Sequence, residues 1–127
     1  TKGVATRFKN SLNENAKMHA SAAYAPDLFH NEVESWETEL GGRFLPVVLR
    51  HGRESFYEKT NIGRLLKILA GKGVKTKQVS GLGKSSLSQL VSMAYILDFA
   101  AYYTAIERGI DPFEIQLIDR LKGVRAR

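Results

Sequence analysis

The sequence predicts an α/β fold, a mostly parallel sheet flanked by helices. Three observations carry that expectation. Short runs of β-type residues, Phe44 to Leu49 and Val74 to Val79, alternate with segments of helical period. A glycine or proline stands at most of the junctions between them. A long, nearly charge-free helical segment follows the last strand. Strands that alternate with helices pair in parallel through helical crossovers.

Residues 3–17, GVATRFKNSLNENAK, form the first element. Val4, Phe8 and Leu12 recur every four residues and make one apolar stripe on a helix. Arg7, Asn10, Glu14 and Lys17 repeat at similar spacing on a second, polar face. A carboxylate flanked there by an arginine and a lysine is a group that can do chemistry. The plainer reading is a solvated face with two ordinary ion pairs. Met18 to Tyr24 is short and apolar, an expected strand or extended segment. Pro26 breaks it, because the residue before a proline is pushed out of the helical region. Asn31 is placed to cap a short helix through Trp36 and Leu40, which Gly41-Gly42 ends.

Phe44 to Leu49 (FLPVVL) is a continuous apolar run, the pattern of a strand buried on both faces, although Pro46 suits an edge better. Ser55 and Glu58 stand at capping-box spacing. The helix they open runs through Leu65, Leu66, Ile68 and Leu69, and Gly71 stops it. Val74 to Val79 alternates, so the strand it predicts exposes one face. Gly81-Leu82-Gly83-Lys84-Ser85 resembles a phosphate-binding loop, but that motif needs a glycine where this chain has Gln78. A turn feeding an N-cap at Ser85 or Ser86 is the expected role. Leu87 to Arg108 is apolar over most of its circumference, as in a helix buried in a core or a subunit interface. Gly109 ends it, Asp111-Pro112 turns the chain, and Ile115 to Lys122 is the last helix. The first helix has no strand before it, as expected of a fragment or of a domain without its opening strand.

At 127 residues, 43% apolar and 25% charged, the chain has the length and composition of one globular domain. The lack of cysteine excludes a disulfide framework, a thiolate metal site and a cysteine nucleophile, and it fits a reducing cytoplasm. His19, His30 and His51 lack paired helical spacing, so no metal is expected. No apolar run approaches the roughly 20 residues of a bilayer span, and TKGVATRFKN has no signal core. A soluble, cytoplasmic protein without membrane contact is expected. The net charge of +6 admits an anionic partner: a nucleic acid, a membrane surface or a phosphorylated small molecule. Because the aromatic residues lie on apolar helices and not among the lysines, a nucleic-acid platform is not expected.

Five segments stand in an order that resembles a known family: Gly3 to Asn10, Asn13-Glu14-Asn15-Ala16-Lys17, His30-Asn31-Glu32, Arg108 to Pro112, and Ile118-Asp119-Arg120-Leu121-Lys122. Together they look like the C-terminal half of the bifunctional phosphoglucose/phosphomannose isomerases, which are sugar-isomerase (SIS) domain proteins. The resemblance implies a three-layer SIS-type fold and a cofactor-free isomerisation of glucose 6-phosphate to fructose 6-phosphate through an enediol. Mannose 6-phosphate is the second candidate substrate. It further implies that Glu14 moves the proton between C1 and C2. His30, reaching the site from the neighbouring subunit of a homodimer, and Lys122 help to open the sugar ring. General acid–base help of this kind contributes roughly 10² to 10⁴ in rate.

Two departures accompany the resemblance. The family's phosphate site, a serine- and threonine-rich loop at a helix N-terminus, belongs to an N-terminal SIS half that these residues do not match. The phosphate site is therefore expected from another half or chain, and the isolated chain is expected to be inactive. Dual-specificity members also carry a small hydroxyl residue just before the final helix, where this chain has Ile115, which counts against the mannose substrate. The rival reading is a SIS module that binds a sugar phosphate, or dimerises, without catalysis.

Overall fold

The computed structural model describes residues 1–37 and 43–123. Helix α1 (Lys2–Glu14) leads through 3-10 turns at Asp27–Phe29 and Glu32–Glu37 to strand β1 (Val47–Arg50). Then come α2 (Phe56–Gly71), β2 (Lys77–Ser80), α3 (Ser86–Glu107) and α4 (Gln116–Leu121). The strands pair in parallel, Val47 opposite Lys77 through Arg50 opposite Ser80, with α2 as the crossover. Bonds from the Lys77 amide to the Pro46 carbonyl (2.9 Å) and from the Gly81 amide to the Arg50 carbonyl (3.2 Å) extend the ladder at both ends. The helix-and-parallel-strand class is as the sequence predicts.

Local signals set several boundaries. Ser55 accepts from the Glu58 amide (3.1 Å) while the Glu58 carboxylate accepts from the Ser55 amide (2.7 Å), the reciprocal capping box expected there. Ser85 caps α3 in the same way through Ser88, so the Gly81–Ser85 segment is the predicted turn. Ser92 Oγ accepts from the Leu82 amide and Gln89 Nε2 donates to the Gly83 carbonyl. The loop is thereby fastened down onto α3, and its Leu82 amide is not free to cradle a phosphate.

Other expectations give way to tertiary contacts. Residues 18–24 form no strand: the Ala20 amide donates to Asn13 Oδ1 (2.8 Å) and the Tyr24 hydroxyl meets Thr6 Oγ1 (2.6 Å), which ties the segment along α1. The helix expected from Asn31 is a 3-10 turn ending at Glu37; Leu40 and Gly41-Gly42 lie outside the described residues. Strand β1 begins only after Pro46, which has no amide to donate, and leaves Phe44 and Leu45 exposed. Its residues are half-buried rather than covered on both faces.

The core lies between α3 and its neighbours. Met93, Leu97, Ala101 and Ala105 form a fully covered stripe at every fourth position, and the two alanines let α1 pack closely against α3. Leu69, Ile62, Val74 and Ala16 complete the buried apolar set. About 200° around α3 runs an opposite stripe, Leu87, Val91, Tyr95, Phe99 and Tyr103, and all five are exposed. Its rings follow one another at 4.8 and 6.0 Å between centroids. The all-round apolar helix is thus covered on one side only, and the other side has the character of a contact surface. No helix among the described residues is long and apolar enough to cross a membrane.

Among the described residues, the Arg50–Glu54 ion pair is the least exposed. Glu54, 8% exposed, accepts from Arg50 Nε (2.8 Å), Arg50 NH2 (2.6 Å) and the His51 amide (3.0 Å). Burial works to raise its pKa, but the Arg50 hydrogen bonds, the His51 amide and the nearby charges outweigh it and hold the carboxyl below its ordinary value. A depressed folded pKa contributes stability above the unfolded value, near 4.5, that is lost as pH falls through the folded one. Thermal melts should therefore show an acid-side loss of stability that is smaller in the Glu54→Gln protein, which keeps only the part due to groups such as Glu58. That variant should itself be less stable at pH 7, by about 1–3 kcal/mol.

Candidate active site

The segment Asn13-Glu14-Asn15-Ala16-Lys17 is where α1 stops. Glu14 is its last residue, Asn15 caps it, and Lys17 turns the chain with φ 51°, in the left-handed region. Glu14 and Lys17 therefore do not continue on one helical face, which corrects the polar stripe read from the spacing. Arg7 does not flank the carboxylate as an ion-pair partner either. Its guanidinium grips both oxygens of Asp98 on α3 (2.8 to 3.1 Å), which Ser11 Oγ also approaches at 3.3 Å. Those Asp98 bonds, and then its charge, raise the Arg7 pKa further.

The residues around Glu14 are anchored through side chain or backbone. Asn13 accepts from the Ala20 amide, and Asn15 donates to the Pro112 carbonyl (3.0 Å). Lys17 Nζ donates to the carbonyls of Glu14 (2.6 Å) and Glu114 (2.5 Å). Arg108 NH1 donates to the carbonyl of Ala16, whose side chain is fully buried. The effect is a clamp that joins the end of α1 to the end of α3 and to the turn before α4. The Glu14 side chain is exposed and makes no bond or ion pair within the described residues. It lines an open groove of about 480 Å³ along α1 with Thr6, Arg7, Asn10 and Ser11. A rigidly seated, uncommitted carboxylate above polar groups is suited to accept and return a proton.

The structure does not bring the other two expected residues to that groove. His30 ends the first 3-10 turn, where its amide donates to the Asp27 carbonyl (2.9 Å), and its exposed ring does not line the groove. Lys122 ends α4, also exposed and also outside the groove. Ile115 occupies the N-cap of α4, and no side chain caps that helix. A hydroxyl there could accept from the helix amides; isoleucine cannot.

Asp98 is a site-building residue that motif reading missed, and the part Arg108 plays was not legible from its segment. Asp98 had a usable signal, because it is the lone charge in the apolar run from Ser85 to Ile106, and a charge on such a helix needs a partner. Arg108, just past the end of α3, opens the Arg108 to Pro112 segment, but its bond could not be read there, since its target is a backbone carbonyl far along the chain.

The fold and the groove together define an α/β domain that presents the free Glu14 carboxylate at the end of α1. The chain belongs to the family described as the bacterial phospho-glucose isomerase C-terminal SIS domain, which it matches over residues 1–124. It is 29% identical over 123 residues to a bifunctional phosphoglucose/phosphomannose isomerase of Aquifex aeolicus, covering 96% of this chain and 38% of that one. A protein of the same description from Pyrobaculum calidifontis is 30% identical over 121 residues, 95% of this chain and 36% of the relative. A shorter match, 41% identical over 46 residues, joins 36% of the chain to 15% of a D-glucosamine-6-phosphate 4-epimerase of Sulfolobus acidocaldarius. No solved structure gives a significant match. The chain spans well under half the length of the curated relatives it matches.

Proposed function

We propose that this chain is the base-bearing half of an aldose–ketose isomerase acting on glucose 6-phosphate, with Glu14 as the base. The observation that carries the reading is the free Glu14 carboxylate held in a clamped helix end, in a chain of this family. In the open-chain sugar, the Glu14 carboxylate takes the proton from C2 while the electrons pass to the C1 carbonyl oxygen, giving an enediolate whose O1 takes up the proton that the C2 hydroxyl gives up. The same carboxyl returns the proton to C1, and the C2 hydroxyl becomes the ketone. Clamping fixes the carboxylate before substrate arrives, which lowers the ordering cost of the reactive geometry.

His30 and Lys122 assist ring opening in this reading. A histidine can pass a ring-oxygen proton because its unperturbed pKa is about 6.5, and a lysine suits a developing oxyanion. Because His30 lies off the Glu14 groove of its own chain, the arrangement calls for a homodimer in which each subunit lends His30 to its partner. The sugar phosphate is held by an N-terminal SIS half, beside which this chain forms the second three-layer unit. Ile115 at the α4 N-cap favours glucose over mannose 6-phosphate.

The experiment is an isomerase assay with glucose 6-phosphate. The 127-residue chain alone should show no turnover, and the protein carrying both halves should. Equal activity of the two would place the phosphate site within this chain and overturn the division of labour.

A further inference from the structure

Parallel sheets of α/β proteins bind ligands in the crevice beyond the carboxyl ends of their strands. The Glu14 groove, on α1, is not that crevice. The carboxyl ends of β1 and β2 open instead onto a separate depression of about 530 Å³ that shares no lining residue with the groove. Its size falls in the roughly 300–1,000 Å³ range of small-molecule sites.

The crevice is lined by the part-buried Arg50–Glu54 pair. Glu54 is consumed by three donors, so its charge is answered within the protein. One wall is set by Gly81, where a Cβ would stand 2.5 Å from the Gln89 carbonyl oxygen; only glycine allows the end of β2 to lie this close to α3. Gln89 in turn accepts from the Gly52 amide (2.9 Å), which closes the crevice from the β1 side.

The side chains left over around the rim can all donate. Lys59 in the first turn of α2 and Ser80 at the end of β2 have no side-chain partner among the described residues. His51 Nδ1 accepts from the Arg53 amide (3.2 Å), which leaves the neutral ring's proton on Nε2, available to a ligand. Gln78 uses its carbonyl oxygen on Arg50 NH1 and keeps its amide hydrogens. With Arg50 and Glu54 cancelling, Lys59 leaves the lining one positive charge in excess. A ligand matching this set carries a compact anionic group with several acceptor oxygens.

We propose that this crevice is a binding site for a phosphomonoester, held by Lys59, His51, Ser80 and Gln78 and independent of Glu14. The proposal goes beyond the isomerase reading, because it needs neither a second half nor a partner subunit. Its ligand is a small phosphorylated metabolite whose phosphate oxygens accept from the four side chains.

The test is a titration of glycerol 3-phosphate into the ¹⁵N-labelled protein at constant ionic strength, followed by amide NMR shifts, with glycerol and chloride as controls. Saturable shifts confined to residues 50–54, 59 and 78–81 are expected from glycerol 3-phosphate and from neither control. Lys59→Ala should weaken that binding by about tenfold or more, as loss of a charge-assisted bond does, and Ser80→Ala by less. Glu14→Gln should leave it unchanged, which separates failure of this proposal from failure of the isomerase reading. Absent or non-saturable shifts, shifts centred on residues 85–88 or on the α1 groove, or equal binding by the Lys59→Ala protein would each overturn it.

Discussion

Replacing Glu14 with glutamine in the two-half enzyme should lower kcat for glucose 6-phosphate isomerisation by roughly 10² to 10⁴, the range of a lost general base, and leave KM nearly unchanged. The amide keeps the shape and the hydrogen-bonding reach of the carboxylate but cannot accept a carbon-bound proton. Stability should hold as well, because the side chain is exposed and bonds to nothing in the described residues. A thermal melt identical to wild type, beside the loss of turnover, separates chemistry from folding. A variant that kept near-full turnover would remove Glu14 from the reaction.

The second large effect concerns assembly. His30→Ala should also be nearly inactive as a pure dimer, and mixing it with the Glu14→Gln protein should restore activity. In a mixed dimer one site has lost both groups, and the other combines an intact Glu14 with its partner's intact His30. About half of randomly reassorted dimers are mixed and each holds one complete site, so the recovery approaches a quarter of wild type. Recovery requires that the histidine cross the subunit boundary. If both groups served one chain, every site in the mixture would lack one of them and no activity would return. The test also bears on the rival reading of a non-catalytic module, which predicts no turnover in any mixture.

The parts of the structure most legible in the sequence are those fixed by neighbours in the chain. Ser55 with Glu58, and Ser85 ahead of α3, declared their caps because a capping side chain and its amide lie within three residues of each other. The strand–helix–strand unit from Val47 to Ser80 was legible for the same reason, apart from the starts of both strands, β2 beginning at Lys77 and not at Val74. What escaped depends on distant partners. Residues 18–24 have the composition of a strand, but side chains of α1 take up the Ala20 amide and the Tyr24 hydroxyl. The spacing of Arg7, Glu14 and Lys17 suggested one charged face, yet a residue 91 positions away claims Arg7, and the left-handed turn at Lys17 redirects its side chain.

The candidate site divides along the same line. Its reactive residue could be named from the NENAK segment, while the anchors that make it rigid could not, because Pro112, Glu114 and Arg108 reach it only after the chain has folded back. Glu14 is uncommitted because its neighbours are committed. Among the five residues of the segment, Asn13, Asn15 and Lys17 use their side chains as braces and Ala16 its carbonyl.

Solvent exchange at the sugar carbons tests the role of Glu14 most directly. If this carboxyl carries the proton between C2 and C1, isomerisation in D₂O should place solvent deuterium at C1 of the fructose 6-phosphate formed, visible by proton NMR. The Glu14→Gln enzyme should then lose exchange and turnover together. Deuterium incorporation that persists in the Glu14→Gln enzyme at the wild-type rate, or wild-type turnover with no solvent label at all, would contradict the assignment.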